Sequence, residues 1–264
     1  MDHRAIRIRP RYTRRLTDPG VELKEANCSH VQLDWEIPIG QAALVCVDVW
    51  DRDLHTDMRR EDDRVTRERI VPVLAACRRA GVLVIHAPAW PTAEREANWV
   101  GLVDHTQAAP PWPDSPAWPP QDFRARVGPY AQYARPREPR AAECDQVANP
   151  PGFHPLVRPV GDEPVIGVGE ELHRLCARRG VLHLVYVGFH TPGCMTGRTY
   201  GLPAMHRYGY TCILLRDCTN GMETHETWPD RTSMRGCIAF LEQTGIYTLT
   251  SEQFIDGLPQ PPAS

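Results

Sequence analysis

The run "AALVCVDVW", from Ala42 to Trp50, constrains the possible folds of this chain more than any other stretch. Asp48 is its only charged residue. A half-exposed strand alternates apolar and polar positions, so a run without alternation must be covered on both faces, as in a parallel sheet flanked by helices. "VLVIHAPAW", "VLHLVYVGF", "YTCILLRD" and "IYTLTS" can join the same sheet, with a weaker candidate in "PLVRP". Helical patterns lie between them. "RVTRERIVPVLAACRRAG" places Pro72 near a first turn and Gly81 at the stop, and "GEELHRLCARRG" closes on Gly180. "CMTGRTYGLPAMHRYG" has an irregularity at Gly201 and Pro203, and "PDRTSMRGCIAFLEQTG" completes the set.

This alternation predicts an α/β fold, three layers α/β/α, around a six-stranded, mainly parallel sheet. The strands are expected near 43–49, 82–87, 155–158, 181–188, 211–215 and 246–250, in the order 3-2-1-4-5-6. Residues 1–40 show no sustained period and read as an N-terminal arm around the domain or a neighbouring subunit. Residues 41–258 read as a single domain, with a proline-rich insert at about 91–155. The insert is poor in Gly and Ser, and its Trp112, Trp118, Tyr130 and Tyr133 need surfaces to cover. That composition favours a long ordered loop, either a lid or a subunit contact.

A formal net charge of -3 provides no basic field for nucleic acid or an anionic membrane. There is no apolar run of ~18 residues to span a bilayer, and no apolar core follows the basic start "MDHRAIRIRPRYTRR". A cytoplasmic protein is expected. The nine cysteines are an odd number without a C-x-x-C pair, a pattern of reduced thiols rather than of a disulfide framework or a zinc site.

In the expected strand order, the first and fourth strands are neighbours and mark the switch point where ligands bind. Asp48 lies near the end of the first strand, and Cys194 follows the fourth in "GFHTPGCMTG". A cysteine in a first helical turn can be held as thiolate, and the free N–H groups of that turn can accept an oxyanion. The Val, Cys and Trp neighbours of Asp48 should raise its pKa towards neutrality, as a proton carrier requires. The two residues together suit attack on a carbonyl. On spacing alone, a buried cysteine and a loop-capping aspartate fit equally well.

The stretches "ALVCVDVWD" and "LHLVYVGFHTPGCMTGRTYGLPAMHRYGYTCILLRDCTNG" resemble the two signatures of the isochorismatase-like cysteine hydrolases, a superfamily that includes nicotinamidases and N-carbamoylsarcosine amidases. The resemblance runs over about residues 41–255, interrupted by the insert. It implies Cys194 as nucleophile and Asp48 as general acid/base, a cis peptide between Phe189 and His190, and an oxyanion hole from the backbone N–H groups of His190 and Cys194. The superfamily's third catalytic group is a lysine at the end of the third strand. This chain has no lysine after Lys24, and Arg158 is the nearest positional substitute. Arginine keeps the charge but cannot pass a proton.

Trp50 and His55 are candidates for substrate contact, and Glu163 is a second polar candidate for the crevice. Asp51, Asp53 and Asp57 could line the pocket as part of a polar loop. Nicotinamidases bind a metal, but "HAPAWP" lacks the matching Asp and His, and no glycine-rich phosphate loop is present; neither metal nor cofactor is expected. His86 reads as a core histidine and Asp217 as structural. The expected activity is cofactor-independent hydrolysis of a small planar amide, imide or ureido compound by a homo-oligomer. The alternatives are a catalytically silent binding or assembly subunit, and isomerase or lyase chemistry in the same pocket.

Overall fold

A computed structural model of the chain describes residues 4–50, 55–103, 119–146 and 152–260. Asp51, Asp53, Trp112 and Trp118, singled out above, lie outside the described residues. The chain divides into two compact units, Met1–Leu102 with Pro150–Ser264, and Val103–Asn149.

The larger unit begins with β1 (Ala5–Ile8), β2 (Arg11–Thr13), β3 (His30–Gln32) and β4 (Trp35–Pro38). It continues through β5 (Ala42–Val47), the helices α1 (Thr56–Val65) and α2 (Val71–Ala80), β6 (Leu83–Ala87) and the short α3 (Trp90–Ala93). The smaller unit holds α4 (Gln121–Ala125), a 3-10 turn over Gly128–Tyr133, and α5 (Ala141–Gln146). There Tyr130 meets Phe123 edge to face at 5.2 Å, and the Arg126 guanidinium stacks on the Phe123 ring at 4.0 Å. The larger unit resumes with α6 (Gly169–Arg179), β7 (His183–Gly188), α7 (Cys194–Gly197), α8 (Leu202–Arg207), β8 (Thr211–Leu215), α9 (Thr232–Gln243), β9 (Tyr247–Leu249) and α10 (Ser251–Asp256).

The main sheet runs β3-β2-β9-β8-β7-β5-β6, with β5 to β9 parallel and β2 antiparallel to both of its neighbours. This is the expected three-layer α/β architecture, with seven strands rather than six. Both faces are covered, as the unbroken apolar run in β5 requires. Leu44 and Cys46 join a core with Val73, Leu74 and Cys77 of α2 and Phe254 of α10. Val45 and Val47 join the opposite core, with Leu172 of α6, Met205 of α8 and Leu241 of α9. Burying each such aliphatic side chain stabilises the fold by about 1.5–3 kcal/mol.

Two expectations about the sheet need correction. The segment at 155–158 forms no strand: Pro155–Val157 is a 3-10 turn, flanked by Pro155 and Pro159, which lack the N–H a ladder needs. Beside β6 there is instead a parallel bridge between His86 and Val165, in which His86 N–H donates to the Pro164 carbonyl at 2.9 Å. The two added strands come from the N-terminal segment. β2 and β3 extend the sheet beyond β9, while β1 pairs with β4 in a ribbon whose Ile6, Ile8 and Ile37 are buried. The carboxylate of Glu242 on α9 secures this addition, accepting from Arg11 Nε at 2.8 Å and lying 2.9 Å from His30 Nε2.

The helix before β6 starts earlier than the sequence suggests. α1 and α2 are joined by a π-helical turn over Thr66–Ile70, so Pro72 lies within a longer helical run. Proline removes one helical hydrogen bond and crowds the carbonyl four residues back, and the wider π turn takes up that misfit. The extra turns of α1 carry Asp62 towards the strand ends.

Candidate active site

β5 ends at Val47, and Asp48 then adopts a left-handed conformation with φ 46° that turns the chain out of the sheet. Its neighbour β7 ends at Gly188, where φ is 125° and an added Cβ would lie 1.9 Å from the Val47 carbonyl oxygen. Only glycine permits that approach. Phe189 N–H donates to the same Val47 carbonyl at 3.0 Å, which ties the two strand ends together. The Phe189–His190 peptide is cis.

The loop that follows is held from both sides. Thr191 N–H donates to the Asn220 carbonyl at 2.9 Å, and the Thr191 and Thr219 hydroxyls are 2.7 Å apart. His190 Nε2 lies 2.9 Å from Asp62 Oδ2, and Asp62 Oδ1 accepts from Asn220 Nδ2 at 2.8 Å. Asn220 Oδ1 in turn accepts from Arg231 Nη1 at 2.7 Å. The backbone N–H groups of His190 and Cys194 donate to no acceptor among the described residues. They remain free to receive an oxygen.

Cys194 opens α7, which is a single turn ending at Gly197. The helical pattern of the sequence is therefore broken between α7 and α8, and the break shapes the site. Arg198 is extended, with φ -74° and ψ 153°, and its Nε donates to Asp48 Oδ2 at 3.0 Å. Tyr200, buried, donates its hydroxyl to Asp48 Oδ1 at 3.2 Å, while its carbonyl accepts from the Tyr186 hydroxyl at 2.9 Å. Gly169, the first residue of α6, braces the break: its N–H donates to Thr199 Oγ1 at 2.9 Å, and an added Cβ would lie 2.1 Å from the Thr199 carbonyl oxygen.

Asp48 is thus a buried carboxyl with a guanidinium on one oxygen and a phenol on the other. Burial raises its pKa above the usual carboxylate value, and the charge of Arg198, the Cys194 thiol and Tyr200 oppose that rise. The Cys194 thiol is pushed up to about 12, first by burial and then by the adjacent Asp48 charge, with Arg198 pulling the other way. α7 is a single turn and adds little dipole at Cys194, so burial and the Asp48 charge dominate its upward shift. The Asp48 carboxyl is the acidic group coupled to this thiol.

The remaining sequence candidates lie as follows. Arg158 is exposed, its carbonyl accepts from Arg78 Nη2 at 3.3 Å, and its guanidinium contacts neither Asp48 nor Cys194 among the described residues. The cation on Asp48 is Arg198. Glu163 is engaged away from Asp48, by Arg78 Nε at 2.7 Å and His86 Nε2 at 2.8 Å, and these partners hold its pKa at about 2 although burial opposes them. Trp50 is half-buried, its N–H donates to the Asp48 carbonyl at 3.0 Å, and its indole Nε1 is buried without an acceptor among the described residues. His55 is exposed ahead of α1, beside a small cavity shared with Trp228 and Arg231. Asp217 accepts from both the N–H and the hydroxyl of Ser251, fixing the start of α10. Asp62, Asn220, Arg198 and Tyr200 are the site groups that sequence reasoning missed.

The isochorismatase domain model matches residues 42–239. The chain belongs to the isochorismatase family. Among solved structures of similar fold, a cysteine hydrolase from Pseudomonas syringae pv. phaseolicola 1448A is 16% identical, with a TM-score of 0.55 over 85% of this chain and 95% of that one. An isochorismatase from Pseudomonas putida KT2440 is 16% identical, with a TM-score of 0.50 over 82% and 91% of the two chains. An isochorismatase family protein from Desulfovibrio vulgaris subsp. vulgaris str. Hildenborough is 17% identical, with a TM-score of 0.50 over 82% and 97%. At these identities the likeness is one of fold. A comparison with curated proteins finds no match. Among the described residues of this isochorismatase-family protein, no helix is long and apolar enough to cross a membrane.

Proposed function

We propose that this isochorismatase-family protein is a cysteine-dependent hydrolase that cleaves a C–N bond of a small planar amide, imide or ureido compound. The observation that carries the reading is the Asp48 carboxyl, held by Arg198 and Tyr200 and coupled to the Cys194 thiol. Asp48 takes the thiol proton as Sγ attacks the carbonyl carbon, and the resulting oxyanion is received by the N–H groups of His190 and Cys194. The tetrahedral intermediate collapses with C–N cleavage, Asp48 passes its proton to the departing nitrogen, and a thioester remains on Cys194. Water, deprotonated by Asp48, then attacks the thioester and releases the acid and the free thiol.

Arg198 carries out the electrostatic part of the task that a lysine performs elsewhere in the superfamily. It favours the ionised carboxylate but takes no proton, so all proton traffic passes through Asp48. A catalytically silent binding protein would have no use for a buried carboxyl so placed, since a buried ion pair seldom stabilises more than apolar packing does. Ammonia release across a panel of amides, imides and ureides tests the proposal. Turnover that survives in either Cys194→Ala or Asp48→Asn would reject it.

A further inference from the structure

The imidazole of His190 and its backbone N–H are carried by the same Cα, so a group that fixes the ring also fixes where that N–H points. Among the described residues the ring makes one hydrogen bond, 2.9 Å from Nε2 to Asp62 Oδ2, and a carboxylate only accepts, so Nε2 is the donor. The other oxygen of Asp62 accepts from Asn220 Nδ2 at 2.8 Å. Asn220 is buried, and its amide has one possible orientation: Oδ1 already accepts from Arg231 Nη1 at 2.7 Å and from Gly221 N–H at 2.8 Å, so a flipped amide would turn Nδ2 against two donors. The Arg231 guanidinium lies over the Trp228 ring at 4.4 Å. A chain of side chains from positions 231, 220, 62 and 190 thus runs from the start of α9 to the oxyanion loop, with every donor facing an acceptor.

The carbonyl side of His190 is held separately, by Gly193 N–H at 2.9 Å and Met195 N–H at 3.2 Å. Asp48 is braced by a different pair, Arg198 and Tyr200. The site therefore has two independently held halves, one that carries the proton and one that receives the oxygen. We propose that Asp62 is a positioning residue of the second half: through His190 it aims the backbone N–H at the oxygen that gains charge when Cys194 adds to a carbonyl. A donor displaced by 1 Å can cost a reaction about 100-fold, which gives such a brace its value. The assignment rests on the oxyanion role given to the His190 N–H in the hydrolase reading above.

The probe is benzaldehyde labelled with carbon-13 at its carbonyl, titrated into the full-length protein and followed by NMR. Addition forms the Sγ–C bond, moves the C–O π pair onto oxygen and ends with the thiol proton on that oxygen, so a hemithioacetal reports the oxygen site without a leaving group or turnover. The adduct is expected in wild type and not in Cys194→Ala. Asp62→Ala and His190→Ala should each weaken it about 5- to 10-fold, the worth of one hydrogen bond, and the double variant should be no weaker than either single one. Asp62→Asn keeps the shape and one oxygen for His190 Nε2, and should lie between Asp62→Ala and wild type. Alkylation of Cys194 by iodoacetamide forms no oxyanion and should stay within about twofold of wild type in Asp62→Ala, and on an amide kcat should fall with KM nearly unchanged. An undiminished adduct in Asp62→Ala, losses that multiply in the double variant, alkylation slowed in parallel, or no adduct in wild type would each overturn the role. Ammonia release is read separately: an Asp62-dependent adduct without release from any amide keeps the positioning role and removes the hydrolase, whereas release that Asp62→Ala leaves intact keeps the hydrolase and removes the role.

Discussion

Arg198 Nε donates to Asp48 Oδ2 at 3.0 Å, joining positions 150 residues apart in the chain. The pair sets the electrostatics of the site, because Arg198 is the charge that opposes the rise in the Asp48 pKa on burial. Replacing Arg198 with Gln should therefore raise that pKa further, leave less carboxylate to act as base, and move the acidic limb of kcat/KM to higher pH. The loss in kcat should be about 100-fold, of the size seen when one preorganised charge donor is removed. Arg198→Lys should recover part of the activity and return the limb towards its original place. A purely structural role for Arg198 would lower activity without moving the limb.

The thiol responds to the same pair with opposite signs. Asp48 pushes the Cys194 pKa up and Arg198 pulls it down, so Asp48→Asn should speed alkylation of Cys194 by iodoacetamide near neutral pH, and Arg198→Gln should slow it. Asp48→Asn should at the same time abolish turnover. A slower-alkylating Asp48→Asn protein would mean that the carboxyl does not hold the thiol protonated.

Gly169 has no room for a side chain against the Thr199 carbonyl, since an added Cβ would lie 2.1 Å away. Gly169→Ala should lower stability by about 1–3 kcal/mol through overpacking, which thermal unfolding will show. It should also lower kcat well below what the lost stability explains, because the shifted backbone carries Arg198 and Tyr200. Unchanged kcat in the folded fraction would separate α6 from the site.

Glu163 supplies an acid-sensitive part of the stability. Its folded pKa is about 2 against an ordinary 4.5, so its contribution is complete above the unfolded value and fades as pH falls through 4.5 towards 2. Denaturant unfolding between pH 6 and 2 should show wild type losing more stability than Glu163→Gln over that window. Parallel curves would remove Glu163 from the acid response.

The central strands were legible because β5, β7 and β8 are buried on both faces and their apolar runs permit no other environment. β2 and β3 were not, since three residues are too few to show a period, and the side-chain contacts holding them to Glu242 join residues 11 and 30 to residue 242. Asp48, Cys194 and the His190 turn were readable from strand ends and from a resemblance in local pattern. The cation was not. The third-strand position points to Arg158, whereas the guanidinium on Asp48 belongs to Arg198, four residues after Cys194, past a helix that stops after one turn. "CMTGRTYG" contained that signal: a glycine on each side of an arginine and a tyrosine marks a break, and a break turns side chains towards the strand ends. Asp62 stayed hidden because Pro72 made the start of its helix look later than it is.

The most direct test of the central claim is ammonia release by Cys194→Ala on the best amide found for the wild-type protein, with thermal unfolding measured alongside. Release should fall by at least ~1,000-fold while the unfolding midpoint stays within a few degrees of wild type. A folded Cys194→Ala protein that keeps a tenth or more of the wild-type rate would contradict the account.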